Sequence, residues 1–225
     1  MKKMHLAVAF LAVLALAFPS LSLAGPVLTV TFGGVACGVN GICSSLSGAG
    51  VDVVNFNAPF VFPVSPLFAL TGNAGLMTGS NIFSSAPTGD TTQYITTGTG
   101  TITMTNLPAN DIYYGLYWGS LDKYNTIILT DSLGNKYTFT GTQIGAMSGV
   151  NPNGSTSLFA NFSLSGATLA SIELLSSQFA FESDNYTFFS PPHSMPEPAT
   201  LSVLGVGLFA FGAGLRRKMA GKPSA

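Results

Sequence analysis

Two uninterrupted apolar runs, residues 6–18 and 199–215, bracket a long middle in which hydrophobic and polar positions change places at short range. Thr101, Thr103 and Thr105 alternate with Ile102 and Met104, the period of two that gives a strand one wet and one dry face. Residues 27–32 and 51–56 are rich in β-branched and aromatic side chains, and 112–118, 126–130, 136–140, 158–164, 171–175 and 186–189 predict further strands. Turn chemistry at 106–110, 131–135 and 151–154 separates them. Residues 126–140 read as a hairpin, with Gly134 and Asn135 supplying the left-handed backbone of its loop. Residues 72–89 are less regular and read as a long loop, and no segment carries a convincing amphipathic helical period. The pattern therefore predicts an all-β fold, an antiparallel jelly-roll-like β-sandwich, over residues 25–190.

The two apolar runs ask for membrane machinery. Lys2 and Lys3 precede the first run, Pro19 ends it, and the small residues Ser22 and Ala24 stand at the −3 and −1 places of a cleavage site between Ala24 and Gly25. Residues 1–24 thus read as a signal peptide, with a retained membrane anchor as the competing reading. The second run has 17 residues without a charge. As a helix it would extend about 25 Å, the short end of what crosses a hydrocarbon core of about 30 Å. Arg216, Arg217 and Lys218 follow as a basic membrane stop. A transmembrane helix at 199–215 would then leave 216–225 as a cytoplasmic tail and the body outside. A buried core helix is the alternative, but Thr200 and Ser202 sit at one end of the run instead of forming a polar stripe.

Composition supports export. Only 8% of residues are charged, well below a usual soluble domain. Between Gly25 and Ser194 the bases are Lys123 and Lys136, against eight acids. Such a body lacks the cations that displace counterions from phosphate, so no nucleic-acid partner is expected. Cys37 and Cys43 are the two cysteines. In an exported chain they favour a disulfide over a metal pair. His5 lies in the signal segment and His193 in the linker, and the body has no Arg. No catalytic triad and no zinc set can be assembled, so no cofactor, no metal and no enzymatic activity are expected. Glu173, Glu182, Asp184 and Asp122 are glycosidase carboxylates by residue type alone.

The aromatic cluster Tyr113, Tyr114, Tyr117, Trp118 and Tyr124 has two readings. Tyr114, Tyr117 and Trp118, with Asp122, are the candidate glycan-binding residues, because outward-facing rings stack on sugars. Asn125 and Asp131 would add sugar hydrogen bonds or calcium ligands. The competing reading is core packing, with Trp118 anchoring the sandwich. Asn153, Asn161 and Asn185 fit the N-glycosylation pattern and are read as turn and strand residues.

The segment from Met195 to Lys218 places Pro196, Glu197 and Pro198 directly before the terminal apolar run and its basic stop. This resembles the PEP-CTERM sorting domain of exported bacterial proteins. The two prolines keep the backbone around Glu197 extended. The resemblance implies that residues 191–198 form a linker with the sorting motif. It also implies a membrane-embedded exosortase as partner, cutting near the triplet and releasing or re-attaching the body. A looser likeness to the bodies of such proteins covers residues 113–126 and 179–185. The expectation is an exported protein, anchored in the inner membrane with its body outside the cytoplasm, then placed at the cell surface or in the extracellular biofilm matrix. Its role would be structural and adhesive. The alternative is a carbohydrate-binding module for exopolysaccharide, and a secreted glycoside hydrolase comes third.

Overall fold

The computed structural model describes residues 25–57, 64–65 and 67–191. The signal segment, the Pro-Glu-Pro triplet, the apolar tail and the basic stop lie outside the described residues. Among the described residues no helix is long and apolar enough to cross a membrane. The strands are β1 (Val27–Phe32), β2 (Val35–Ala36), β3 (Ile42–Cys43), β4 (Val51–Val54), β5 (Val64–Ser65), β6 (Phe68–Thr78), β7 (Gln93–Thr105), β8 (Tyr113–Trp118), β9 (Asn125–Asp131), β10 (Lys136–Thr140), β11 (Leu158–Ser165), β12 (Leu169–Ser176) and β13 (Phe181–Phe189).

Eleven of these strands form one antiparallel sheet in the order β1-β11-β8-β13-β7-β12-β9-β10, with β4 beside β13 and β6 beside β7 and β5. The expected antiparallel all-β body is present, as one sheet that bends until it nearly closes. Two strands make the bend by changing partner along their length. β7 pairs with β13 through Ile95–Thr97 and with β12 through Gly100–Met104. β13 leaves β7 after Ser183 and pairs with β4 from Tyr186 to Phe189. The two limbs then face each other, and Phe139 of β10 reaches Phe162 of β11 with ring centroids 5.6 Å apart.

Alternation drives this burial. β9 turns Asn125, Ile127, Leu129 and Asp131 inward and leaves the residues between them half exposed. β12 does the same with Ile172 and Leu174. Ile127, Leu129, Ile172 and Leu174 join Leu116, Trp118, Phe162, Phe181 and Phe188 in one core. Non-directional apolar burial of this kind is the main favourable term in folding.

β8 and β13 break the alternation, being buried along nearly their whole length. Two connections cover their outer face. The loop closed by Cys37 and Cys43, which form a disulfide, brings Gly41 against the Tyr117 ring. The Tyr117 hydroxyl donates to the carbonyl of Thr88 in the connection between β6 and β7. A bulge in β13 at Asp184–Thr187 puts Asn185 at φ 52, a left-handed conformation that Asn tolerates. Its amide then donates to the carbonyls of Asn40 and Ile42 at 2.6 and 3.0 Å.

Two expectations need correction. Residues 72–89 are not all loop, because β6 continues to Thr78. Gly72 lies at φ 102, where a Cβ would stand 2.1 Å from the carbonyl of Thr101. The glycine marks close strand approach, not a turn. A short helix, α1 (Gly141–Ser148), also follows β10. Thr140 and Gln143 form its capping box, the Gln143 N–H donating to Thr140 Oγ1 at 3.2 Å and the Thr140 N–H to Gln143 Oε1 at 2.8 Å.

Candidate functional site

The aromatic and acidic residues singled out in the sequence separate into three environments. Tyr114 and Trp118 are fully buried. Trp118 stacks on Phe181 at 4.4 Å, and Tyr114 meets Tyr186 edge-on at 5.5 Å. Tyr117 is buried under the disulfide loop. None of these three rings presents a face to a sugar, which corrects the glycan-stacking expectation for them. β8 faces the core on one side and two covering connections on the other, so its alternation exposes nothing.

Asn125 and Asp131 are likewise occupied by the fold. The Asn125 amide donates to the carbonyls of Ser120 and Ala180 at 3.3 and 3.0 Å and its oxygen accepts from Ser176 at 2.8 Å. Asp131 closes the β9–β10 hairpin. It accepts the N–H groups of Leu133 and Asn135, each at 2.9 Å, the Asn135 amide at 2.8 Å and the Tyr137 hydroxyl at 3.0 Å. Burial works against its charge, but these four donors outweigh it and hold its pKa below the ordinary value. Glu173 lies on β12 and pairs with Lys136 across the sheet at 3.8 Å, a partly exposed pair of small energetic weight.

Asp122 alone of the glycan-binding candidates reaches an open site. It lines a polar cleft of about 270 Å³ with Asn81, Ser120, Tyr124, Asn153 and Glu182. Asp122 and Asn153 are brought side by side by an isolated β-bridge. Glu182 stands on the outer face of β13. One of its oxygens accepts the Ser85 N–H at 2.9 Å and the other accepts the Ser120 hydroxyl. Burial raises the Glu182 pKa, partly offset by those donors, and burial raises that of Asp122 as well. The Tyr124 hydroxyl donates to the carbonyl of Phe179 at 2.6 Å, tying the floor of the cleft to its rim.

The rim is aromatic, and the sequence reading missed it. Phe83 and Phe179 line the same cleft, tilt against each other with centroids 5.2 Å apart, and are 55% and 56% exposed. Ile82 beside them is 89% exposed. An Asx turn holds this tip in place, with Asn81 Oδ1 accepting from the N–H groups of Phe83 and Ser84 at 2.7 and 2.8 Å. Phe179 lies over Gly98 of β7, where a Cβ would come within 2.8 Å of the ring. Two exposed phenyl rings beside carboxylate, amide and hydroxyl oxygens offer both an apolar face and hydrogen-bond partners. A larger groove of about 600 Å³ runs past Phe32, Leu46, Tyr113 and Asn161. The Tyr113 hydroxyl there is already paired with Ser44 and Asn161, and no charged side chain lines it. Comparison with known protein families, with characterised proteins and with solved structures finds no match to this chain.

Proposed function

We propose that this chain is an exported, non-catalytic surface or matrix protein whose β body holds polysaccharide at the Phe83–Phe179 cleft. The observation that carries the reading is the exposed ring pair set beside Asp122, Tyr124 and Asn153. Sugar rings have an apolar C–H face and a hydroxyl edge, and this cleft has a partner for each. The adhesive role that the resemblance implies would thus have a surface, and the aromatic cluster in β8 yields to a different pair of rings.

Binding is favoured over hydrolysis by the state of Glu182. A glycosidase needs two carboxyls free to exchange protons or attack carbon. Glu182 is almost wholly buried, and both its oxygens are engaged by Ser85 and Ser120. Export rests on the apolar N-terminal run. Processing by an exosortase at Pro196, Glu197 and Pro198 rests on the tail pattern, and the bent sheet is read as a jelly-roll-like sandwich joined along one edge.

Affinity-gel electrophoresis through matrix polysaccharides tests the binding. The purified chain should be retarded in at least one gel, and Phe83→Ala with Phe179→Ala should abolish the retardation while leaving the circular dichroism spectrum unchanged. Retardation that survives both substitutions would remove the cleft from the account. For the sorting reading, the intact mass of mature protein from its host should end near the triplet. Persistence of Arg216, Arg217 and Lys218 in all mature material would defeat it.

A further inference from the structure

The cleft of about 270 Å³ behind Phe83 and Phe179 is lined by two carboxylates, Asp122 and Glu182, and by no base among the described residues. Lys123 follows Asp122 in the chain but is exposed and does not line the cleft. The one ion pair among the described residues joins Lys136 of β10 to Glu173 of β12. Between Gly25 and Ser194 two bases stand against eight acids, so the surroundings add no positive field.

Asp122 is also short of donors. The hydroxyls of Tyr124 and Ser120 stand within hydrogen-bonding reach of its carboxylate, but each has a single hydrogen, and both are given elsewhere. Tyr124 donates to the Phe179 carbonyl at 2.6 Å, and Ser120 donates to Glu182. Gly154 holds the carboxylate from one side, its backbone so near that a Cβ there would stand 2.7 Å from Asp122 Oδ1. Asp122 is thus half-buried and fixed, with acceptor capacity left for whatever fills the cleft. Glu182 contributes charge, because both its oxygens already have donors.

Three classes of sugar would meet this wall differently. A uronate brings a third carboxylate against two, and like charges in a partly desolvated cleft repel. A neutral sugar offers hydroxyl hydrogens of ordinary strength. A sugar with a free amine offers N–H donors that carry the positive charge, and such charge-assisted bonds are roughly twice as strong. Its charge also offsets the burial that raises the pKa of Asp122 and of Glu182. A cation gains further over the face of an exposed phenyl ring, and the rim supplies two such rings.

We propose that the cleft selects a polysaccharide of free-amine amino sugars, with Asp122 taking the ammonium group and Phe83 and Phe179 stacking on the sugar rings. The selectivity rests on the polysaccharide-binding reading and narrows it to one class. The full chain is titrated by calorimetry with oligomers of equal length made of glucosamine, of N-acetylglucosamine and of galacturonate. The glucosamine oligomer should bind at least about tenfold tighter than its acetylated form. Galacturonate should give no heat, and added salt should shrink the preference. Asp122→Asn should bring the amine-to-acetyl affinity ratio close to one. If that variant fails to fold, hydrogen exchange on the unaltered chain decides. The glucosamine oligomer should slow exchange at the Ser85 and Gly154 amides, which border the cleft, and protection elsewhere would overturn the proposal. So would an amine preference that persists in folded Asp122→Asn, galacturonate binding, or equal binding of a lysine oligomer. Equal affinity for the amine and acetylated oligomers, lost together in Phe83→Ala with Phe179→Ala, would remove the selectivity and leave the polysaccharide reading standing. Silence from all three sugars would take the cleft out of both.

Discussion

Phe179 and Phe181 stand two positions apart and do opposite things. Phe181 stacks on Trp118 at 4.4 Å in the core, while Phe179 tilts against Phe83 at 5.2 Å with 56% of its surface in solvent. β13 begins at Phe181, so Phe181 obeys the in-and-out rule of a sheet and Phe179 escapes it. The wider contrast follows the same line. Trp118 and Phe181, inside strands, serve the core, and Phe83 and Phe179, on connections, reach solvent. Two carboxylates repeat the lesson. Asp131 is surrounded by donors in its hairpin, whereas Asp111 has the Ser190 hydroxyl on one oxygen and no donor on its buried Oδ2. Burial above all lifts the Asp111 pKa to about 6.

The hardest blow to the contrast is Trp118→Ala. It should cost about 3–5 kcal/mol in urea unfolding, a large part of a typical domain's stability. A loss near zero would mean that the Trp118–Phe181 stack is not the core. Asp111→Asn should act with the opposite sign. A carboxyl whose pKa is raised in the fold stabilises it at low pH, and that contribution is lost as pH rises from the ordinary value through about 6. Near pH 7 the neutral variant should therefore be more stable by up to about 3 kcal/mol, and thermal melts should show the gain vanish near pH 4. Asp131→Asn should instead lower Tm at neutral pH and become harmless as pH falls below the ordinary carboxylate range, because its pKa is depressed in the fold.

Replacing Cys37 and Cys43 by Ser removes the closure of a short loop. The loop-entropy cost is about 2 kcal/mol, read by denaturant titration, and Tyr117 fluorescence should respond because that ring lies beneath the loop. The smallest effect on folding is expected at the rim. Phe83→Ala and Phe179→Ala should each change stability by less than about 1 kcal/mol. Each lost ring should nevertheless weaken polysaccharide retention roughly 3–10-fold. A rim variant as damaging to folding as Trp118→Ala would erase the distinction between the two sets of rings.

Much of the sheet was legible. β1 and β10 occupy the stretches that their alternation and β-branched residues mark out, and the Asp131–Asn135 turn joins β9 to β10 as its chemistry demands. Other strands run longer than their local pattern. β7 starts at Gln93 and β13 at Phe181, because cross-strand partners extend pairing into stretches whose own propensity is weak. α1 was legible in principle from Thr140 and Gln143, yet eight residues are too few for a clear helical period. The candidate site was only half visible. Asp122 was chosen by residue type, whereas Phe83 sat in a stretch read as featureless loop.

The sequence by itself determined the class of fold, the pairing of Cys37 with Cys43 and the absence of a cationic body, since period, cysteine number and charge are properties of the chain. The tertiary structure alone decided which rings face water and which carboxylates meet. β8 alternates like any strand, and only the covering of its outer face by the disulfide loop and the β6–β7 connection buries both sides. Asp122 and Glu182 are far apart along the chain and line one cleft only once their segments meet, because proximity, like burial, is a relation between segments and no single segment carries it.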